Sequence, residues 1–150
     1  MYNGYKEITG SSQEINNYLL EFDPNDWAIN EYLIIHNTDD GKNSEMRWDG
    51  KQFVALKLPP SNYIKAYNSE QRCLLDLLNN KNITVVAALG TYGSGKTYLA
   101  MQMALYGLKE KPWYDKILGV REVVGEGRDI GFLPGEQKSK TENFFKPLEQ

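Results

Sequence analysis

A chain of 150 residues and 17.2 kDa, 41% hydrophobic and 25% charged, has room for one ordinary domain, or for a small module plus part of a larger one. This composition excludes a disordered segment. Seventeen basic against twenty acidic side chains give net −3 and a pI near 5.2, which excludes a generally basic nucleic-acid coat. The charge is unevenly spread. Residues 1–80 hold seven Lys and Arg against twelve Asp and Glu, net −5, whereas residues 81–150 hold ten against eight, net +2.

In chain order, Ser11 and Glu14 form a capping-box pair ahead of Ile15, Tyr18, Leu19 and Phe22 at helical spacing. Asp23-Pro24 should end that helix, because proline cannot continue it. Glu31–Asn37 is rich in strand formers, and Asp40-Gly41 and Asp49-Gly50 are hairpin turns around Ser44–Trp48 and before Gln52–Leu58. The reading is a small three-stranded antiparallel meander over a short helix, residues 1–60, with a linker over 61–67 after Pro59-Pro60. Asp39, Asp40 and Asp49 resemble a carboxylate cluster, but their place beside turn glycines favours chain reversal. Trp48 and Phe53 are expected to fill a small core. The lone cysteine, Cys73, excludes an internal disulfide and a multi-cysteine zinc site, and it and the lone His36 are read as structural.

Asn68-Ser69-Glu70-Gln71 opens a helix over 72–79. Two readings of Gln71 stand side by side: it closes a capping box with Asn68, or its amide reads an adenine edge. Ile83–Leu89 is a continuous apolar, β-branched run, the pattern of a strand covered on both faces. Gly90-Thr91-Tyr92-Gly93-Ser94-Gly95-Lys96-Thr97 follows directly and fits the phosphate-loop pattern. Glycines let backbone amides converge on phosphate oxygens, Lys96 supplies a cation for the β and γ phosphates, and Thr97 a hydroxyl for Mg2+. A helix over Thr97–Lys109 points its positive end at the same anion, with Met101, Ala104, Leu105 and Leu108 as its packing face. Gly107 should weaken its last turn and Pro112 end it. A second strand at Lys116–Val120 completes a βαβ unit, giving an α/β P-loop NTPase core: a partial parallel sheet with flanking helices, residues 68–150, preceded by the antiparallel module.

The Asn-x-x-Gln helix, the phosphate loop and Gly131-Phe132-Leu133-Pro134-Gly135 together resemble the PhoH-like ATPases. Arg121-Glu122-Val123-Val124 stands where that family shows Arg-Pro-x-Val, and Lys140 fits its later lysine. Asn30–Ile34 and Arg47-Trp48-Asp49-Gly50 are similar to the subgroup with an upstream PIN-type nuclease domain, so that the likeness covers about residues 28–150. Glu122 in place of proline, and Tyr92 where the family often has alanine, depart from the pattern. The resemblance implies ATP and Mg2+ as ligands, a single-stranded RNA partner, and a homo-oligomeric ring in the intact protein. Arg121 and Lys140, with Arg128, Lys138 and Lys146, are candidates for the RNA path. No apolar strand ending in an acidic pair follows residue 97, so the core is expected to be incomplete and this chain alone not to turn over ATP. A small-molecule kinase acting on a nucleoside or sugar, and a nucleotide-dependent interaction module without catalysis, are the alternatives. The sequence shows no signal-peptide order and no bilayer-length apolar run, so the expected location is cytoplasmic with no membrane partner.

Overall fold

The computed structural model describes residues 4–111 and 113–120. One sheet contains β1 (Tyr5–Gly10), β2 (Tyr32–Asn37), β3 (Asn43–Trp48) and β4 (Phe53–Ala55), in that order. The helices are α1 (Ser12–Leu20), α2 (Ser69–Leu78) and α3 (Lys96–Lys109), with a 3-10 turn at Pro24–Asp26. The fold is mixed α/β with flanking helices, as expected. The meander is β2–β3–β4, antiparallel throughout. A fourth strand lies outside that expectation: β1 runs parallel to β2, from Tyr5 opposite Tyr32 to Gly10 opposite Asn37. Parallel neighbours need a crossover, and α1 with the 3-10 turn supplies it. Two adjacent charges, Lys6 and Glu7, obscure β1 as a strand in the sequence.

The capping box at α1 is formed: the Ser11 hydroxyl accepts from the Glu14 amide at 3.3 Å, and the Glu14 carboxylate from the Ser11 amide at 2.8 Å. The three turn carboxylates bond the backbone. Asp39 accepts from Ser12 N–H at 2.8 Å, Asp40 from Lys42 N–H at 3.0 Å, and Asp49 from Lys51 and Gln52 N–H at 2.8 and 2.9 Å. These amide bonds hold all three below the ordinary carboxylate range.

Tyr32 through Ile35 are all buried, because both faces of β2 are covered. Leu33 and Ile35 pack with Ile15 of α1, Trp27 and Trp48. Phe22 and Phe53 extend this face as an aromatic cluster, the Trp27 and Phe53 rings edge-on at 4.9 Å. Tyr32 and Ile34 face the other way, against Cys73 of α2 with Leu77, Tyr5 and Leu56. The sheet is therefore packed between α1 on one face and α2 on the other. α2 begins at Ser69, ahead of the expected Arg72, with Asn68 as its cap.

A buried charge ties α2 to the sheet. Asp76 is 1% exposed, and its Oδ2 accepts from the Tyr32 hydroxyl at 2.7 Å and from Arg47 Nε at 2.8 Å. Its Oδ1 accepts from Lys57 N–H at 2.6 Å, and Arg47 Nη1 donates to Asn30 Oδ1 at 3.0 Å. Burial, and then the Asp76 carboxylate, push the Tyr32 phenol well above its ordinary value. The segments Asn30–Ile34 and Arg47–Gly50 thus meet at one carboxylate.

Two expected strands are not formed. Residues 83–89 take no regular structure, with Val85 84% and Leu89 93% exposed, and residues 116–120 likewise form no strand. An apolar run becomes a strand only beside a ladder partner, and neither segment has one among the described residues. Among the described residues the parallel pairing lies instead between β1 and β2.

The chain divides into two compact units at Met103, inside α3. The buried stripe of α3 is Leu99, Met103 and Tyr106, while the expected Met101, Ala104, Leu105 and Leu108 are half-buried. α3 is apolar over most of its circumference, so its spacing fits two stripes equally well. Gly107 serves close packing: a Cβ there would lie 3.0 Å from the Tyr114 ring. Pro112 lies outside the described residues.

Candidate functional site

Gly90–Gly95 is an exposed or half-exposed loop that leads directly into α3. Gly93 and Gly95 take φ of +80° and +84°, which L side chains rarely adopt, so the glycines fix the loop's path. The loop turns back on itself through Ser94 N–H and the Thr91 carbonyl at 3.4 Å, and Leu99 N–H bonds the Gly95 carbonyl at 2.9 Å, opening α3. Lys96 lies across the loop. Its ammonium donates to the Gly90 carbonyl at 2.9 Å, the Thr91 carbonyl at 2.6 Å and the Ser94 hydroxyl at 3.0 Å. An ammonium has three protons, so all of its donors are held inside the loop. Thr97 is exposed in the first turn of α3, and Tyr92 is fully exposed. A cation, a glycine-shaped backbone and the positive end of a fourteen-residue helix together suit a polyphosphate.

Gln71 touches the same loop. Its Nε2 donates to the Ser94 carbonyl at 3.2 Å, and its Oε1 accepts from Tyr67 N–H at 2.8 Å. Asn68 Oδ1 caps α2 by accepting from Gln71 N–H at 2.8 Å. Half of the expected capping box is thus present. The return bond from the Gln71 side chain goes to Tyr67, one residue before the cap, because the amide spans from there to Ser94. Sequence reasoning missed both the Gln71–Ser94 link, which joins residues 23 apart, and the Asp76 anchor behind it. A lone aspartate in a helix carries no pattern that marks it as buried. Arg72 adds an ion pair from α2 to Glu45 of β3 at 2.9 Å.

Arg121, Lys140 and Gly131–Gly135 lie outside the described residues, as do Arg128, Lys138 and Lys146. His36 and Cys73 both make contacts with the sheet. His36 bridges Asn43 at 2.8 Å and Glu7 at 2.5 Å, and those two bonds, Asn43 first, raise its pKa. Cys73 is buried against β2, and burial pushes its thiol up to about 12. No helix among the described residues is long and apolar enough to cross a membrane.

Comparison with known proteins decides the family. The family model for PhoH-like protein matches residues 63–150, more than half of the chain. The chain belongs to the PhoH-like family. That family consists of P-loop ATPases, and the loop at Gly90–Thr97 falls inside the matched span. Protein PhoH2 of Bacillus subtilis is 28% identical over 160 residues, covering 99% of this chain and 36% of that protein. The PhoH-like protein of Synechocystis is 30% identical over 113 residues, covering 75% and 33%. A PhoH-like protein of Bacillus subtilis is 40% identical over 68 residues, covering 45% and 21%. The chain therefore spans about a third or less of the length of these relatives. No solved structure matches the chain significantly.

Proposed function

We propose that this PhoH-like chain is the nucleotide-binding segment of an ATPase, taking ATP with Mg2+ at Gly90–Thr97. The observation that carries the reading is the Lys96 ammonium, poised among the Gly90, Thr91 and Ser94 oxygens where α3 begins. Lys96 would exchange those oxygens for the β and γ phosphates, and the Thr91–Gly95 backbone would wrap the chain of phosphates. The Thr97 hydroxyl would hold Mg2+, which neutralises phosphate charge when bound. Gln71, beside the loop, is the candidate reader of the adenine edge.

For the intact protein the proposal extends to a cytoplasmic ring of identical subunits that couples ATP to unwinding or processing of single-stranded RNA, with Arg121 and Lys140 on the RNA path. It takes 1–60 as the sheet module, 61–67 as linker and 68–150 as part of the ATPase core. It places the chain in the subgroup with an upstream PIN-type nuclease domain. What supports that placement is the likeness of Asn30–Ile34 and Arg47-Trp48-Asp49-Gly50 to that subgroup.

The test is calorimetric titration of the purified chain with ATP, with and without Mg2+. Saturable one-to-one binding, strengthened by Mg2+, is expected. No binding at millimolar ATP overturns the reading, and transfer of labelled phosphate to a nucleoside or sugar on thin-layer plates would replace it with a kinase.

A further inference from the structure

The loop does not stand alone, because one of its contacts, Gln71, belongs to a helix anchored elsewhere. α2 is a ten-residue helix with its N-terminal turn at the phosphate loop and the stretch from Arg72 onward fixed to the sheet module. The fixing is dense. Asp76 accepts from Tyr32 of β2, Arg47 of β3 and the Lys57 amide. Arg72 pairs with Glu45 of β3, and Asn79 Nδ2 donates to the Lys57 carbonyl at 2.7 Å. Cys73 and Leu77 pack on Tyr32 and Ile34. At the other end the fit is close: a Cβ on Gly95 would lie 3.3 Å from Gln71 Nε2. A rotation or slide of α2 by a fraction of a turn would therefore break the Gln71–Ser94 bond or press Gln71 into Gly95.

From this juxtaposition we infer that Asp76 is a positioning residue for the nucleotide site: through α2 it sets Gln71 against the phosphate loop, which makes the sheet module part of the binding machinery. The inference rests on the nucleotide-binding reading above. Asp76 does not touch the loop. Its carboxylate fixes the angle of α2 by drawing three donors from β2, β3 and the segment after β4. A buried carboxylate held by three donors from three different segments tolerates little movement, which suits it to hold a helix in one register.

The test is a double-mutant cycle on ATP affinity, with the full chain held at a temperature where circular dichroism shows every variant folded. Asp76→Asn keeps the shape and removes the charge, and Tyr32→Phe removes a single donor should Asp76→Asn not fold. In the wild-type background either change is expected to weaken ATP binding, by about fivefold to tenfold for Asp76→Asn and less for Tyr32→Phe. In a Gln71→Ala background neither should weaken it further, because the group they position is gone. A merely structural role predicts the same loss in both backgrounds, and that result overturns the inference. So does unchanged ATP affinity in the folded single variants. A wild-type chain that binds no ATP overturns the nucleotide-binding reading and this inference with it.

Discussion

Replacing Lys96 by alanine removes the one ammonium in the phosphate loop and nothing else of its backbone. Its three protons are committed to the Gly90 and Thr91 carbonyls and the Ser94 hydroxyl at 2.6–3.0 Å, all at an exposed surface. Freed by nucleotide, those three oxygens face solvent and are satisfied by water, so the exchange from loop to phosphate leaves no orphaned group. What alanine loses is the charge-assisted bonding to phosphate, about 1.5–3 kcal/mol. At about 1.4 kcal/mol per decade, ATP affinity should fall by about tenfold to a hundredfold. Without nucleotide the same substitution should shift stability by no more than about 0.5 kcal/mol, as at other exposed positions. Calorimetric titration with Mg-ATP, run beside thermal unfolding of the free chain, separates the two effects. Equal ATP affinity in wild type and Lys96→Ala would refute the assignment of the loop. Lys96→Arg should not restore affinity, because a planar guanidinium cannot fill the three-acceptor seat of a compact ammonium.

Leu33 is fully buried at the centre of β2, and Leu33→Ala should cost about 2–5 kcal/mol in urea unfolding; a loss under about 1 kcal/mol would contradict the packing described. His36 should titrate above its ordinary 6.5 in proton NMR, because Asn43 and Glu7 favour its charged form, and Glu7→Gln should lower the midpoint. Since the folded-state pKa is the raised one, the stability His36 contributes is complete below about pH 6.5 and is lost as pH rises through the folded value. A wild-type midpoint at or below 6.5 would contradict those bonds. Cys73, with its thiol pushed up to about 12 by burial and then by the nearby Glu45, Asp76 and Glu70 charges, should resist iodoacetamide at pH 8 until the chain is unfolded. Rapid labelling of the folded chain would show that α2 does not hold Cys73 against β2.

Signals confined to a few neighbouring residues could be read directly. The Ser11–Glu14 box and the Asp turns each specify their own local geometry, and each appears as expected. Partnership between distant segments could not be read. Ile83–Leu89 has the composition of a covered strand, yet composition does not supply a neighbour, and Val85 and Leu89 face solvent. Tyr5–Gly10 has a weak strand pattern and is recruited by β2 at an edge. At the site, Lys96 was evident from its motif. The Asp76 anchor was not, because a single carboxylate reveals its role only when Tyr32, Arg47 and Lys57 are brought to it.

Those three donors lie 44, 29 and 19 residues from Asp76 along the chain. Each is a long loop to close, and the carboxylate gains its full set only once β2, β3 and the exit from β4 are already in place. Such bonds are expected to form late, on the native side of the folding barrier. Their strength therefore governs how slowly the folded chain comes apart more than how quickly it assembles. The same carboxylate that orients a helix also sets the lifetime of the fold, so a weakened Asp76 would betray itself first as faster unfolding.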